Sequence, residues 1–117
     1  MTRDLYQIIL TDSTAEQLVS EIRINALHPI FSGHFPGSPV TPGVIQMEMV
    51  QAAMEKHFQK KLTLKTIRSC KFLEVLDPGK TPAIRITIKF RQTEFLEVTA
   101  TGADDASTFF KLQATYI

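Results

Sequence analysis

Two side chains in this sequence are of types that move protons and have no obvious other use where they stand. Glu48 interrupts the apolar run Val44, Ile45, Met47, Met49, Val50, Ala52, Ala53 and Met54. A carboxylate buried in such surroundings costs several kcal/mol unless it is paired or takes up a proton. His34 lies fourteen residues earlier, between Gly33 and Phe35, and imidazole is the side chain best poised to gain and lose a proton near neutral pH. Together they suit general acid–base chemistry. Each has a plainer alternative. Glu48 could reach water through a gap or bond a backbone group, and His34 could be an ordinary surface or hydrogen-bonded loop residue. The third candidate is backbone: the N–H of Gly43, if a helix opens there, is an orphan donor at the positive end of the helix dipole. It would suit a developing oxyanion, unless Thr41 simply caps it.

The elements that must position these groups can be read from breakers and periodicity. Prolines and glycines crowd between Pro29 and Gly43, so that stretch is a loop rather than a strand or helix. Thr41-Pro42 reads as a helix start, with Thr41 as cap and Pro42 at the first helical position. The apolar run that follows predicts one helix ending near Lys60 or Lys61, buried on most sides. Before the loop, Leu5 to Thr11 and the alternating segment from Leu18 to Asn25 read as strands. After the helix, Ile84, Ile86, Ile88 and Phe90 alternate with polar residues, and Phe95 to Ala100 and Phe109 to Tyr116 are rich in β-branched and aromatic types. Asp77-Pro78-Gly79-Lys80, Arg91-Gln92-Thr93-Glu94 and Gly102-Ala103-Asp104-Asp105 supply turns, and such short connections favour antiparallel neighbours. The expected fold is α+β, one central helix wrapped by a curved antiparallel sheet of five to six strands, in a single domain over residues 1–117.

Composition narrows the function classes. The chain has 117 residues, 44% hydrophobic and 21% charged, with a formal net charge of +1. That is one globular domain, with no global field for nucleic acid or a membrane surface. The single cysteine, Cys70, excludes an intrachain disulfide and reads as a small buried thiol. No signal-peptide pattern or membrane-length apolar run is visible, so a cytoplasmic protein is expected. His57 and Glu55 fall on different helix faces, and neither a Cys pair nor an H-E-x-x-H motif occurs, so neither a metal nor another cofactor is expected. His28, before Pro29, reads as a turn residue.

The stretch from His34 to Glu48, HFPGSPVTPGVIQME, resembles the signature of the β-hydroxyacyl-acyl-carrier-protein dehydratases, H-F-P-G-x-P-x-x-P-G-V-x-x-x-E. Lys71-Phe72 with Val75 and Pro78-Gly79 is similar to that family's basic-Phe strand and Pro-Gly turn. Together the two matches anchor residues 28 to 80. Three departures accompany them. The family's N-terminal L-P-H-R-Y-P-F-L-L-V-D-R stretch has no counterpart, Lys80 replaces a usual Asp, and the family's glutamine four residues beyond the acid falls on Ala52, with Gln51 one residue early. They imply a short relative whose acyl length and pathway stay open among fatty acid, lipid A precursor, polyketide and aryl-polyene-like pigment, with a tilt towards a specialised one.

The resemblance implies a hot-dog fold and reversible dehydration of a (3R)-3-hydroxyacyl thioester on acyl carrier protein to the trans-2-enoyl thioester. His34 would act as general base, Glu48 would hold or protonate the departing hydroxyl, and the Gly43 N–H would receive the carbonyl oxygen. Phe35, Val44 and Phe72 are expected beside the acyl chain, with core packing as the alternative for the two aromatics. Arg68, Lys71 or Lys80 would meet the acidic carrier, unless they belong to an ordinary solvated face. The family likeness also implies a homodimer in which His34 of one subunit faces Glu48 of the other. Competing readings are a hot-dog acyl thioesterase and a non-catalytic acyl-thioester-binding subunit.

Overall fold

Alternation of apolar and polar residues dominates the architecture. In the computed structural model, which describes residues 4–31 and 40–117, six strands form one sheet: β1 (Tyr6–Ser13), β2 (Gln17–Ile24), β3 (Leu64–Phe72), β4 (Ala83–Gln92), β5 (Leu96–Ala103) and β6 (Thr108–Tyr116). The spatial order is β1-β2-β4-β5-β6-β3, and each neighbouring pair is antiparallel. One helix, α1 (Gly43–Phe58), and a single 3₁₀ turn at Pro29–Phe31 complete the described elements. The residues that alternate inward, Ile22 on β2, Ile86 and Ile88 on β4, Ala100 on β5 and Leu112 on β6, are buried. They meet Met49, Val50, Ala53 and Met54 of α1, all fully buried. Each large apolar side chain so buried contributes about 1.5–3 kcal/mol. The expected helix wrapped by a curved antiparallel sheet is the fold observed.

Three local features differ from the sequence reading. Pro42 is the N-cap of α1, with φ −58° and ψ 147°, so Gly43 is the first helical residue and no side chain caps the helix. The Thr41 hydroxyl is instead buried without a partner, because the residue is held by its backbone: its N–H donates to the Leu76 carbonyl and its carbonyl accepts from Gln46 Nε2. At the other end α1 stops at Phe58, where Gln59 turns left-handed at φ 57° and donates its N–H to the Glu55 carbonyl. The third difference is burial. The sheet covers only one side of α1, and the side carrying Val44 and Glu48 is open, with Val44 73% exposed.

The edges of the sheet matter for the site. β3 follows the helix yet joins the sheet beside β6, so the turn at Asp77 does not close a hairpin between β3 and β4. β3 is thus an edge strand, as is β1 at the opposite end. Ile67, Phe72 and the following Leu73 and Val75 are exposed large apolar residues along β3 and just beyond it. No helix among the described residues is long and apolar enough to cross a membrane.

Candidate active site

Glu48 sits one turn into the open side of α1. It is exposed rather than buried, because the sheet packs on the opposite side, against Met49, Val50 and Ala53. The Tyr6 hydroxyl, from edge strand β1, donates to Glu48 Oε1 at 2.9 Å. Both residues line a cleft of about 530 Å³ whose walls include Val44, Gln51, Leu64 and Tyr116. Gln51 and Glu55, the next polar residues along this side, are occupied elsewhere. Gln51 Nε2 donates to the Leu62 carbonyl at 2.9 Å, and the Leu62 N–H donates to Glu55 Oε2 at 2.8 Å. Both therefore clip the turn between α1 and β3, while Glu48 lies at the cleft. Tyr116, at the far wall, is 1% exposed, and burial, with a smaller contribution from the charge of Cys70, pushes its phenol up to about 12. It stays a neutral hydroxyl at physiological pH.

The helix start lies one turn from Glu48. The first N–H groups of a helix have no intrahelical acceptor. The Gly43 N–H finds none among the described residues, since Thr41 does not cap it. Glycine there lets a ring come close: a Cβ at position 43 would stand 2.6 Å from Phe72 Cζ unless that ring moved. The half-exposed Phe72 ring, at the end of β3, thus covers the Gly43 Cα. Of the predicted residues, the structure sets Val44 and Glu48 on one cleft and Phe72 against Gly43 at the helix start, neither of the latter two lining that cleft. His34 and Phe35 lie outside the described residues.

Other candidates fall into structural roles. Arg68 stands 3.9 Å from Glu97 on the outer sheet face, with Arg91 at 3.6 Å. The Thr93 hydroxyl bond to Glu97, aided by those two guanidinium groups, holds its carboxyl below the usual range. Lys71 and Lys80 are exposed. Lys71 immediately precedes Phe72 and faces Lys111 across the β3–β6 register. His28 is a turn residue, its Nδ1 accepting from the Ile30 N–H. Cys70 is a free, half-buried thiol, raised by that burial. Among the described residues no group of three His, Cys, Asp or Glu could hold a metal ion. Tyr6 is the site residue the sequence reading missed; its place on a strand gave no hint that it faces the helix.

Comparison with known proteins bears on the family and the fold. The family model for the ApeI-like dehydratases, described as ApeI dehydratase, matches residues 10–109. Among curated relatives, the 3-hydroxyacyl-[acyl-carrier-protein] dehydratase FabZ of Lactobacillus helveticus is 33% identical over 72% of this chain and 65% of its own length. The FabZ of Chlamydia trachomatis is 31% identical over 82% and 64%. The chain thus spans about two thirds of the length of the curated relatives it matches. Among solved structures, the dehydratase heterocomplex ApeI:P from Xenorhabdus doucetiae superposes with a TM-score of 0.66 at 19% identity, covering 94% of this chain and 97% of that one. A putative thioesterase from Ralstonia eutropha gives 0.65 at 16%, covering 98% and 86%. At these identities the two structures establish the fold, hot-dog in both, and do not choose between dehydration and hydrolysis. The sequence match shows the family: the chain belongs to the ApeI-like dehydratase family.

Proposed function

We propose that this protein dehydrates 3-hydroxyacyl thioesters carried on acyl carrier protein to trans-2-enoyl thioesters. The observation that carries the reading is the Glu48 carboxyl at a cleft one helical turn from the uncapped Gly43 N–H. Loss of a proton α to the thioester carbonyl develops negative charge on that oxygen, which a helix-terminal N–H stabilises. His34 takes the α-proton, the C2=C3 bond forms as the C3–O bond breaks, and the hydroxyl leaves as water with a proton from Glu48. The proton on His34 then returns to the carboxyl through solvent, restoring both groups. An alternative division has His34 carry both transfers while Glu48 only binds the hydroxyl. Val44, Phe35 and Phe72 give the acyl chain its apolar surroundings. The test follows enoyl formation and free thiol together on a carrier-bound 3-hydroxyacyl thioester. Enoyl product without thiol supports dehydration, whereas thiol release would favour the thioesterase reading.

The second part of the reading is a homodimer with shared sites, His34 of one subunit facing Glu48 of the other. Its support is edge strand β3, whose exposed Ile67 and Phe72, with Leu73 and Val75 beyond it, make an unpaired apolar border. Such a border invites pairing with another chain. Lys71, next to Phe72, is the basic residue best placed to meet an acidic carrier, since Arg68 is engaged with Glu97. Sedimentation of the active protein decides the assembly. A dimer supports the reading, and a fully active monomer overturns it. Activity only with a second, different hot-dog chain would replace it by a heterocomplex, the assembly that the Xenorhabdus doucetiae relative forms.

A further inference from the structure

We infer that Tyr6 positions Glu48, so that one carboxyl oxygen is fixed by the protein and the other is presented to the substrate hydroxyl. The inference rests on the proposed role of Glu48 in dehydration. A carboxyl on an open helix face samples several rotamers, and a reaction that needs it in one orientation loses rate in proportion. Along α1 nothing within reach restrains it. The position four residues beyond is Ala52, and the Gln51 amide is committed to the Leu62 carbonyl. The restraint comes from another element, the Tyr6 hydroxyl at 2.9 Å from Oε1.

Strand β1 can serve as this fixed support because it is tied to α1 at a second point. Lys56, two turns beyond Glu48, donates its Nζ to the Ile8 carbonyl at 2.8 Å. The strand is also in register with β2 through Tyr6 opposite Ile24 and Ile8 opposite Ile22. Leu5, just before it, is 1% exposed, and its carbonyl accepts from the Asn25 N–H at 2.8 Å. The phenol therefore approaches Glu48 from a braced strand rather than from a loop.

The bond also bears on where the Glu48 proton sits. In a neutral carboxyl the carbonyl-type oxygen is the better acceptor of a hydroxyl hydrogen bond. With Oε1 so used by Tyr6, a proton on Glu48 is favoured on Oε2. Oε2 is then the oxygen that donates to the departing hydroxyl of the substrate. Tyr6 itself gives up no proton in the reaction and acts through the carboxyl.

The experiment is a double-mutant cycle on turnover with a 3-hydroxyacyl thioester, using Tyr6→Phe, Glu48→Gln and both together, with melting temperatures as the folding control. Loss of one hydrogen bond of this kind should lower kcat about three- to tenfold in Tyr6→Phe, with KM nearly unchanged. In the Glu48→Gln background the same change should cost nothing further, because the group it positions is gone. Equal losses in both backgrounds, or no loss with Glu48 present, would overturn the positioning role. A rise in KM alone would overturn it too, since it would make Tyr6 a binding contact. Full activity of Glu48→Gln would instead refute the proposed function, a separate outcome. Should Tyr6→Phe melt early, Tyr6→His, which keeps a ring donor, should recover part of kcat if donation to Glu48 is what matters; equally low kcat in both would count against it.

Discussion

Replacing Gly43 by alanine should separate the stability of this fold from its chemistry, and Gly102 supplies the control. A Cβ at Gly43 would meet Phe72 Cζ at 2.6 Å and Cε2 at 2.8 Å, about 1 Å inside ordinary carbon–carbon contact of roughly 3.5–4.0 Å. Phe72 is 49% exposed, so its ring can swing towards solvent. A phenylalanine buries about 150–250 Å² when enclosed. Giving up a quarter to a third of the half still covered, about 30 Å², costs about 1 kcal/mol. Alanine in place of a helical glycine returns up to about 1 kcal/mol. The net change in unfolding free energy should therefore stay within about 1 kcal/mol of zero. At Gly102 the same methyl would lie 2.1 Å from Phe110 Cε2 and 2.7 Å from Cδ2 and Cζ. Phe110 is fully buried and sits directly opposite in the β5–β6 register. That ring has nowhere to go, and overpacking of this kind costs about 3 kcal/mol. Urea unfolding of the two variants measures both numbers. Single-turnover dehydration by Gly43→Ala should fall about ten- to hundredfold, because the methyl and the displaced ring crowd the N–H offered to the carbonyl oxygen. The reasoning fails if Gly43→Ala loses as much stability as Gly102→Ala, or if it turns over at the wild-type rate.

Three further outcomes are expected. Tyr116 has its phenol raised from near 10 to about 12 by burial, so the folded state holds that proton more tightly than the unfolded chain. The resulting stability, about 3 kcal/mol, is present below pH 10 and is lost as pH rises from 10 towards 12. Alkaline unfolding of Tyr116→Phe should lack this component, and an unchanged alkaline limb would contradict it. Thr41→Val should hold or raise the melting temperature, by up to about 1 kcal/mol of stability, since the buried hydroxyl it removes has no partner. Gln59→Gly should stabilise by about 0.5 kcal/mol through the left-handed C-cap at φ 57°. A loss of stability would show that the Gln59 side-chain bond to the Lys56 carbonyl outweighs the strain.

The parts of the fold that were legible are those whose pattern is local. Ile84, Ile86 and Ile88 alternate with Arg85, Thr87 and Lys89 and end up inside and outside as period two requires. The apolar core side of α1 was equally plain, although its start was read one residue early, with Thr41 as cap and Pro42 inside the helix. β3 was harder to read from its own residues. It is an edge strand with register shifts between Leu64 and Thr66 and between Ile67 and Ser69, so both of its faces are largely exposed and its alternation is blurred. Its partner, β6, begins 36 residues after β3 ends, and no local signal selects it. At the site, helical spacing placed Val44 beside Glu48, but an apolar neighbour does not tell what covers it. Val44 proved open and Glu48 accessible. The Tyr6 bond spans forty-two residues. It depends on how β1 lies against α1, which only tertiary packing decides.

The most direct test of the proposed chemistry is single-turnover assay of His34→Ala and Glu48→Gln on a carrier-bound 3-hydroxyacyl thioester, with enoyl formation as the signal. General acid–base groups contribute about 10² to 10⁴ in rate, so each variant should lose at least about a hundredfold while remaining folded. Near-wild-type turnover by both would contradict the assignment of proton transfer to this pair.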